Sequence, residues 1–80
     1  MAVEIVMPKL GLTMTEGEIV EWRVKEGETV QKGQVIFVVE TEKVTYEVEA
    51  PEDGILAQIL VSEKTTVPVG AVVGYLAKSD

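Results

Sequence analysis

The chain has 80 residues, with no cysteine, no histidine and 14 acidic side chains against 7 basic ones, a formal net charge of −7. Without cysteine there are no disulfide staples, thiolate metal sites or thiol nucleophiles, and without histidine the usual general base and the commonest metal ligand are gone, so a conventional hydrolase or a zinc centre is not expected. The negative charge disfavours nucleic acid and favours a partner with a basic groove, and no apolar run approaches the ~20 residues of a membrane span.

The N-terminal Met1-Ala2-Val3-Glu4 has neither a basic region nor an apolar signal core. The expectation is one domain over residues 1–80, soluble and intracellular: cytoplasmic, or in the mitochondrial matrix of a eukaryote. A chain this short buries only about 60% of its unfolded surface, so its core is thin.

Val, Ile and Thr supply about a third of the residues, which favours strands, and no stretch carries a capped helical period. Six short runs punctuated by Gly or Pro follow in chain order: Val3–Met7, Glu18–Val24, Val35–Glu40, Val44–Ala50, Ile55–Val61 and Val72–Ala77. Short strands at near-regular spacing predict an all-β sandwich or barrel. In the second run Val20, Trp22 and Val24 alternate with Glu21 and Arg23; in the fourth, Tyr46 and Val48 alternate with Glu47 and Glu49. The apolar set should face the core, since a one-residue slip would put glutamates there.

An internal repeat organises the chain. Shifted by 37 positions, Gly17–Glu40 falls on Gly54–Ala77 without a gap. Gly17 meets Gly54, Trp22 meets Ile59, Glu26 meets Glu63, Thr29-Val30 meets Thr66-Val67, and Gly33 meets Gly70. Each block is preceded by a strand ending in proline, Pro8 or Pro51; the first half carries about six extra residues, within Lys9–Glu16. Two similar halves predict two interlocked sheets related by a pseudo-two-fold axis. Lys43 then corresponds to Asp80, which predicts that its turn lies at the opposite end of the molecule from the termini.

Lys43 is the only basic residue between Lys32 and Lys64, and it stands in the polar break Thr41-Glu42-Lys43 between two β-prone runs. By itself it would read as a solvated turn lysine. Its setting changes that: Glu40-Thr41-Glu42-Lys43-Val44 lies sixteen residues after Gly27 and eleven before Gly54. These spacings, with Lys25–Ile36, Val48-Glu49-Ala50-Pro51-Glu52-Asp53-Gly54 and the opening Met7-Pro8-Lys9-Leu10-Gly11, resemble the lipoyl domain of the acyltransferase (E2) chains of 2-oxo acid dehydrogenase complexes, over essentially all 80 residues.

The resemblance implies a flattened β-barrel, or barrel–sandwich hybrid, of two four-stranded antiparallel sheets. It implies lipoic acid amide-linked to Lys43, on a turn made with Thr41, Glu42 and Val44. The family usually has Asp before this lysine and Ala after it; here Glu42 and Val44 stand there, which bears on which ligase and partner read the turn. The implied partners are a lipoate ligase or lipoyl transferase, a thiamine-diphosphate enzyme (E1), the acyltransferase (E2) core and a flavoprotein (E3). The implied role is a non-catalytic swinging arm for acyl groups and reducing equivalents. Pyruvate, 2-oxoglutarate, branched-chain and acetoin systems all remain open. A stop just after the last strand, where a linker would begin, favours a piece cut from a longer acyltransferase, monomeric in isolation.

Two other readings compete. A biotin carrier shares the fold but usually flanks its lysine with methionines, unlike Glu42 and Val44. An unmodified adaptor typically lacks the lysine. The Lys9–Glu16 insertion carries Leu10, Leu12 and Met14 without a strand pattern; it is either a partner-recognition loop, with Glu40 beside it, or a cover over one end of the core. Glu40 and Glu42 read as solvated or partner-reading rather than as an acid–base pair. Gly27, Gly33, Gly54 and Gly70 read as turn positions needing positive φ rather than phosphate loops, and Trp22 reads as core rather than a ligand platform.

Overall fold

The computed structural model describes residues 2–78. Eight strands follow in order: β1 (Ala2–Val6), β2 (Glu16–Trp22), β3 (Thr29–Val30), β4 (Val35–Glu40), β5 (Thr45–Glu49), β6 (Gly54–Ile59), β7 (Thr65–Pro68) and β8 (Val72–Ala77). They form two four-stranded antiparallel sheets, β1-β8-β6-β3 (sheet A) and β5-β4-β2-β7 (sheet B). Advancing each label of sheet A by half the strand count reproduces sheet B, so the repeat is an architectural two-fold and each sheet mixes strands of both halves. The sheets stack as a flattened sandwich without closing into a barrel.

Six strands match the apolar runs of the sequence. The other two, β3 and β7, are short edge strands and repeat-mates. Two residues are too few to show alternation, and Pro68 is tolerated in β7 because an edge strand can dispense with one N–H.

The halves interlock through paired hydrogen bonds. Gly27 N–H donates to Leu56 O, and its mate Lys64 N–H donates to Ile19 O. The Glu26 carboxylate accepts Ile59 N–H at 2.7 Å, and the Glu63 carboxylate accepts Trp22 N–H at 2.8 Å. Each half thus satisfies a strand-end donor of the other that water would otherwise hold. Gly27 has φ +93°, and Lys64 takes the same left-handed turn at φ 67°, the only non-glycine residue with positive φ among those described. That conformation costs an L-residue about 1–2 kcal/mol, a cost the repeat geometry imposes.

Ile5, Ile19, Phe37, Val39, Leu56, Val73 and Leu76 sit at the centre of the buried cluster. Fully burying each such side chain contributes ~1.5–3 kcal/mol, which is what a thin core requires. Trp22 is partly buried and packs against this core: its ring lies 4.9 Å from that of Phe37, and its indole N–H donates to Val61 O at 2.8 Å.

Three expectations need correction. The alternation of β2 breaks at Val20, which stands unpaired as Ile19 faces Val39 and Glu21 faces Val38. This bulge hands the inward face from Ile19 to Trp22; Val20 is only half-buried. Its repeat-mate Ala57 is skipped in the same way in β6, as are Ile36 and its mate Val73 in β4 and β8. Tyr46 lies on the inward register with Val39, but at the turn end of the sandwich it remains 49% exposed. Gly54, unlike Gly27, Gly33 and Gly70, does not have positive φ. It is needed for close approach instead, since a Cβ there would lie 2.7 Å from the Ala77 carbonyl oxygen.

Ala2 pairs with Ala77, so the described ends of β1 and β8 lie side by side. The equivalent pair, Thr45 with Glu40, forms the base of the lysine turn. Asp80, the counterpart of Lys43, lies outside the described residues.

Candidate functional site

Between the paired residues Glu40 and Thr45 the chain reverses through Thr41-Glu42-Lys43-Val44. Two-residue hairpin turns usually need positive φ at the first central residue, but Glu42 and Lys43 are both outside that region. The Thr41 side chain supplies the closure. Thr41 N–H donates to Val44 O at 2.8 Å. The Thr41 hydroxyl oxygen accepts Lys43 N–H at 3.3 Å and Val44 N–H at 3.2 Å, and the hydroxyl donates back to Val44 O at 3.3 Å. A threonine side chain thus replaces the backbone bond of an ordinary turn. The result holds the Lys43 Cα at one orientation while its side chain stays exposed, and Lys43 is in no salt bridge among the described residues.

The insertion between β1 and β2 packs beside this turn. Met14 N–H donates to Gly11 O at 3.2 Å, Leu10 N–H points to the Met14 sulfur at 3.1 Å, and Val69 N–H donates to Thr15 O at 3.0 Å. Leu10 and Met14 are half-buried against the core, whereas Leu12 is 94% exposed. Leu10 and Met14 thus cover the end of the core, and Leu12 projects outward. Loop and turn enclose an open cleft of about 550 Å³, with Leu10 and Met14 on one wall and residues 40–44 on the other. Of the turn and loop residues proposed from the sequence for attachment or partner reading, the cleft gathers all but Leu12. It also recruits Thr66, which nothing local in the sequence signals; the pairing of Glu18 with Thr66 across β2 and β7 brings it there. Among the described residues no group of acidic side chains could hold a metal ion, and no helix is long and apolar enough to cross a membrane.

The structure thus sets an exposed lysine on a two-residue turn closed by a threonine side chain, at one end of a pseudo-symmetric β-sandwich. Residues 3–76 match the family model described as "Biotin-requiring enzyme". Over 96% of its length the chain is 51% identical to the dihydrolipoyllysine-residue acetyltransferase component 4 of the chloroplastic pyruvate dehydrogenase complex of Arabidopsis thaliana, of which it covers 16%. Over its whole length it is 44% identical to the dihydrolipoyllysine-residue acetyltransferase component of the acetoin cleaving system of Bacillus subtilis, covering 20% of that protein. The solution structure of the lipoyl domain of the 2-oxoglutarate dehydrogenase complex from Azotobacter vinelandii superposes with a TM-score of 0.80 at 33% identity, covering 98% of this chain and 99% of that one. The chain belongs to the biotin/lipoyl-attachment family, and within it to the lipoyl domains. It spans a fifth or less of the length of the two full-length relatives.

Proposed function

We propose that Lys43 carries lipoate in amide linkage, and that the domain delivers acyl groups and reducing equivalents between the enzymes of a 2-oxo acid or acetoin dehydrogenase complex. The observation that supports this most is the Thr41-braced turn, which shapes the Lys43 backbone and leaves its amine exposed and unpaired among the described residues. A ligase that reads the turn meets a backbone already folded, whereas a lysine on a flexible loop would have to be ordered first at an entropic cost.

The dithiolane supplies the sulfur chemistry when attached, and the protein supplies position and recognition. On this reading the domain catalyses nothing. It presents the arm in turn to a thiamine-diphosphate E1, to the acyltransferase core of a longer parent E2 chain and to a flavoprotein E3, and tethering raises the effective concentration at each. Leu12 and Glu40, both exposed beside the turn, are the residues we assign to partner reading; Leu10 and Met14 hold the loop that presents Leu12. The test is to offer the lipoylated domain to E1 enzymes specific for pyruvate, 2-oxoglutarate, branched-chain 2-oxo acids and acetoin, each with its substrate, and to weigh the product. An acyl increment with one of them is expected. A lipoylated domain left unacylated by all four would contradict the carrier role.

A biotin-carrying role is the second reading, favoured by the description of the matching family model. The flanking Glu42 and Val44 favour lipoate.

A further inference from the structure

Among the described residues, Leu12, Val44 and Tyr46 are large apolar side chains exposed at the end that carries the lysine turn. Val6, Ile55 and Leu60 are exposed as well, but they lie on the outer face of sheet A, which the carrier role leaves unused. The register lays that face out in rows. Ala77 and Ile55 pair near one end, and Glu4, Tyr75 and Gln58 share the middle row. At the other end Val6 lies on one side of β8 and Leu60, whose N–H donates to Val73 O, on the other. Glu4 is the only charged residue in the four strands of sheet A, whereas the four strands of sheet B hold six glutamates. A contiguous apolar patch of this kind, on one face of an otherwise acidic molecule, marks a contact surface.

We propose that a second copy of this domain packs on the outer face of sheet A, sheet against sheet, as a transient pair whose two-fold axis runs along β8. Each copy has a formal net charge of −7, so two copies repel through most of their surface, and sheet A is the face on which they meet without setting rows of carboxylates together. Charge also selects the axis. A two-fold along β8 carries β1 of one copy over β6 of the other, which sets Glu4 over Gln58 and Val6 over Leu60. An axis across the strands, through the Tyr75 row, would set Glu4 against Glu4. The selected axis puts both lysine turns at the same end, each on the sheet that faces away from the contact, so both stay open to enzymes. Size sets the strength. Strands at about 3.3 Å per residue and about 4.8 Å apart make the flat part of this face roughly 400 Å². That is about half of what each partner buries in a standard interface, so the pair should be weak, with a Kd on the order of 1 mM. Flexible tethering of copies to one another supplies concentrations of that order.

Pairing does not depend on what Lys43 carries, so the test uses the unmodified domain, labelled with ¹⁵N and diluted from about 3 mM to about 0.03 mM. Concentration-dependent shifts are expected at the amides of Glu4, Val6, Gln58 and Tyr75 and not at Glu47. They should grow with added salt, which screens repulsion between like-charged copies. Val6→Glu gives sheet A the side chain that its mate Glu49 already places on the same backbone in sheet B; it should abolish the shifts while the domain stays folded. Gln58→Lys should tighten the pair about fivefold through two symmetric contacts with Glu4. Glu21→Gln, the same change in net charge on sheet B, should tighten it less than about twofold. Shifts confined to sheet B or the lysine turn, a pair that survives Val6→Glu, or weakening by Gln58→Lys would overturn the proposal. So would sheet A amides that stay still through the dilution and shift only when an acyltransferase core is added, a result that gives the face to that partner instead.

Discussion

The two outer faces of the sandwich share one backbone and differ almost completely in chemistry. Sheet B carries Glu18, Glu21, Glu40, Glu47 and Glu49 outward; at the equivalent places sheet A carries Ile55, Gln58, Ala77, Glu4 and Val6. Arg23 bonds Glu21 at 2.9 Å and Glu47 at 3.3 Å, bracketing Val38, which stands between those glutamates in the register and is 5% exposed. The hydrogen bond and charge of Glu21, and then those of Glu47, hold the Arg23 guanidinium above its ordinary range. Sheet A has Tyr75 in place of Val38 and Leu60 in place of Arg23. The inner faces, by contrast, keep apolar mates at nearly every position. Duplicated geometry constrains what faces inward and leaves the outside free, and the face that became acidic is the one that carries the lysine turn.

Nine substitutions, in five sets, would break or sharpen this comparison. Lys43→Arg should have the largest effect: complete loss of modification by lipoate ligase, measured by intact mass, with the melting temperature unchanged. Gly54→Ala and Gly17→Ala occupy mated positions but meet different neighbours. The first Cβ would press on the Ala77 backbone, whereas the second would meet the side chains of Val39, Met14 and Met7, which can adjust. Overpacking typically costs about 1–3 kcal/mol, and urea denaturation should place Gly54→Ala at the upper end of that range and Gly17→Ala at the lower.

Thr41→Ala removes the hydroxyl that closes the turn. With net hydrogen-bond contributions of about 1 kcal/mol, the initial rate of lipoylation should fall roughly fivefold, and Thr41→Ser should restore it. Glu26→Ala and Glu63→Ala each delete one of the reciprocal bonds between halves and should cost about 1 kcal/mol apiece, equal to within about 0.5 kcal/mol if the two-fold is energetic as well as geometric. Lys64→Gly should stabilise the domain by about 0.5 kcal/mol, because relief of the left-handed strain slightly exceeds the added unfolded-state entropy, while Gly27→Ala should destabilise it by about 1 kcal/mol. Equal signs for the last two would show that the mated turns are not equivalent.

Much of this architecture was legible because the apolar runs are separated by Gly and Pro and because the halves repeat without a gap. Lys43 stood out as a candidate through its isolation, its spacing to Gly27 and Gly54 and the family resemblance. What escaped depends on pairing rather than on local pattern. The bulges at Val20, Ile36, Ala57 and Val73 insert one residue on one strand only, so simple alternation assigns Val20 to the wrong phase. A two-residue strand such as β3 has no period to read. Gly54 looks like any turn glycine until β8 lies against it, and Thr66 joins the cleft only through β7. Within the insertion, nothing in the order Leu10, Leu12, Met14 says which side chain turns outward; the bonds among Leu10, Gly11 and Met14 decide it.

The most direct measurement is intact mass with peptide mapping after parallel reactions with lipoate ligase plus lipoate and with biotin ligase plus biotin, each on the unaltered chain and on Lys43→Arg. A lipoyl increment located at Lys43 in the unaltered chain alone is the expected result. A biotin increment instead, an increment that survives Lys43→Arg, or no increment on folded protein would contradict the assignment of Lys43 as a lipoyl attachment site.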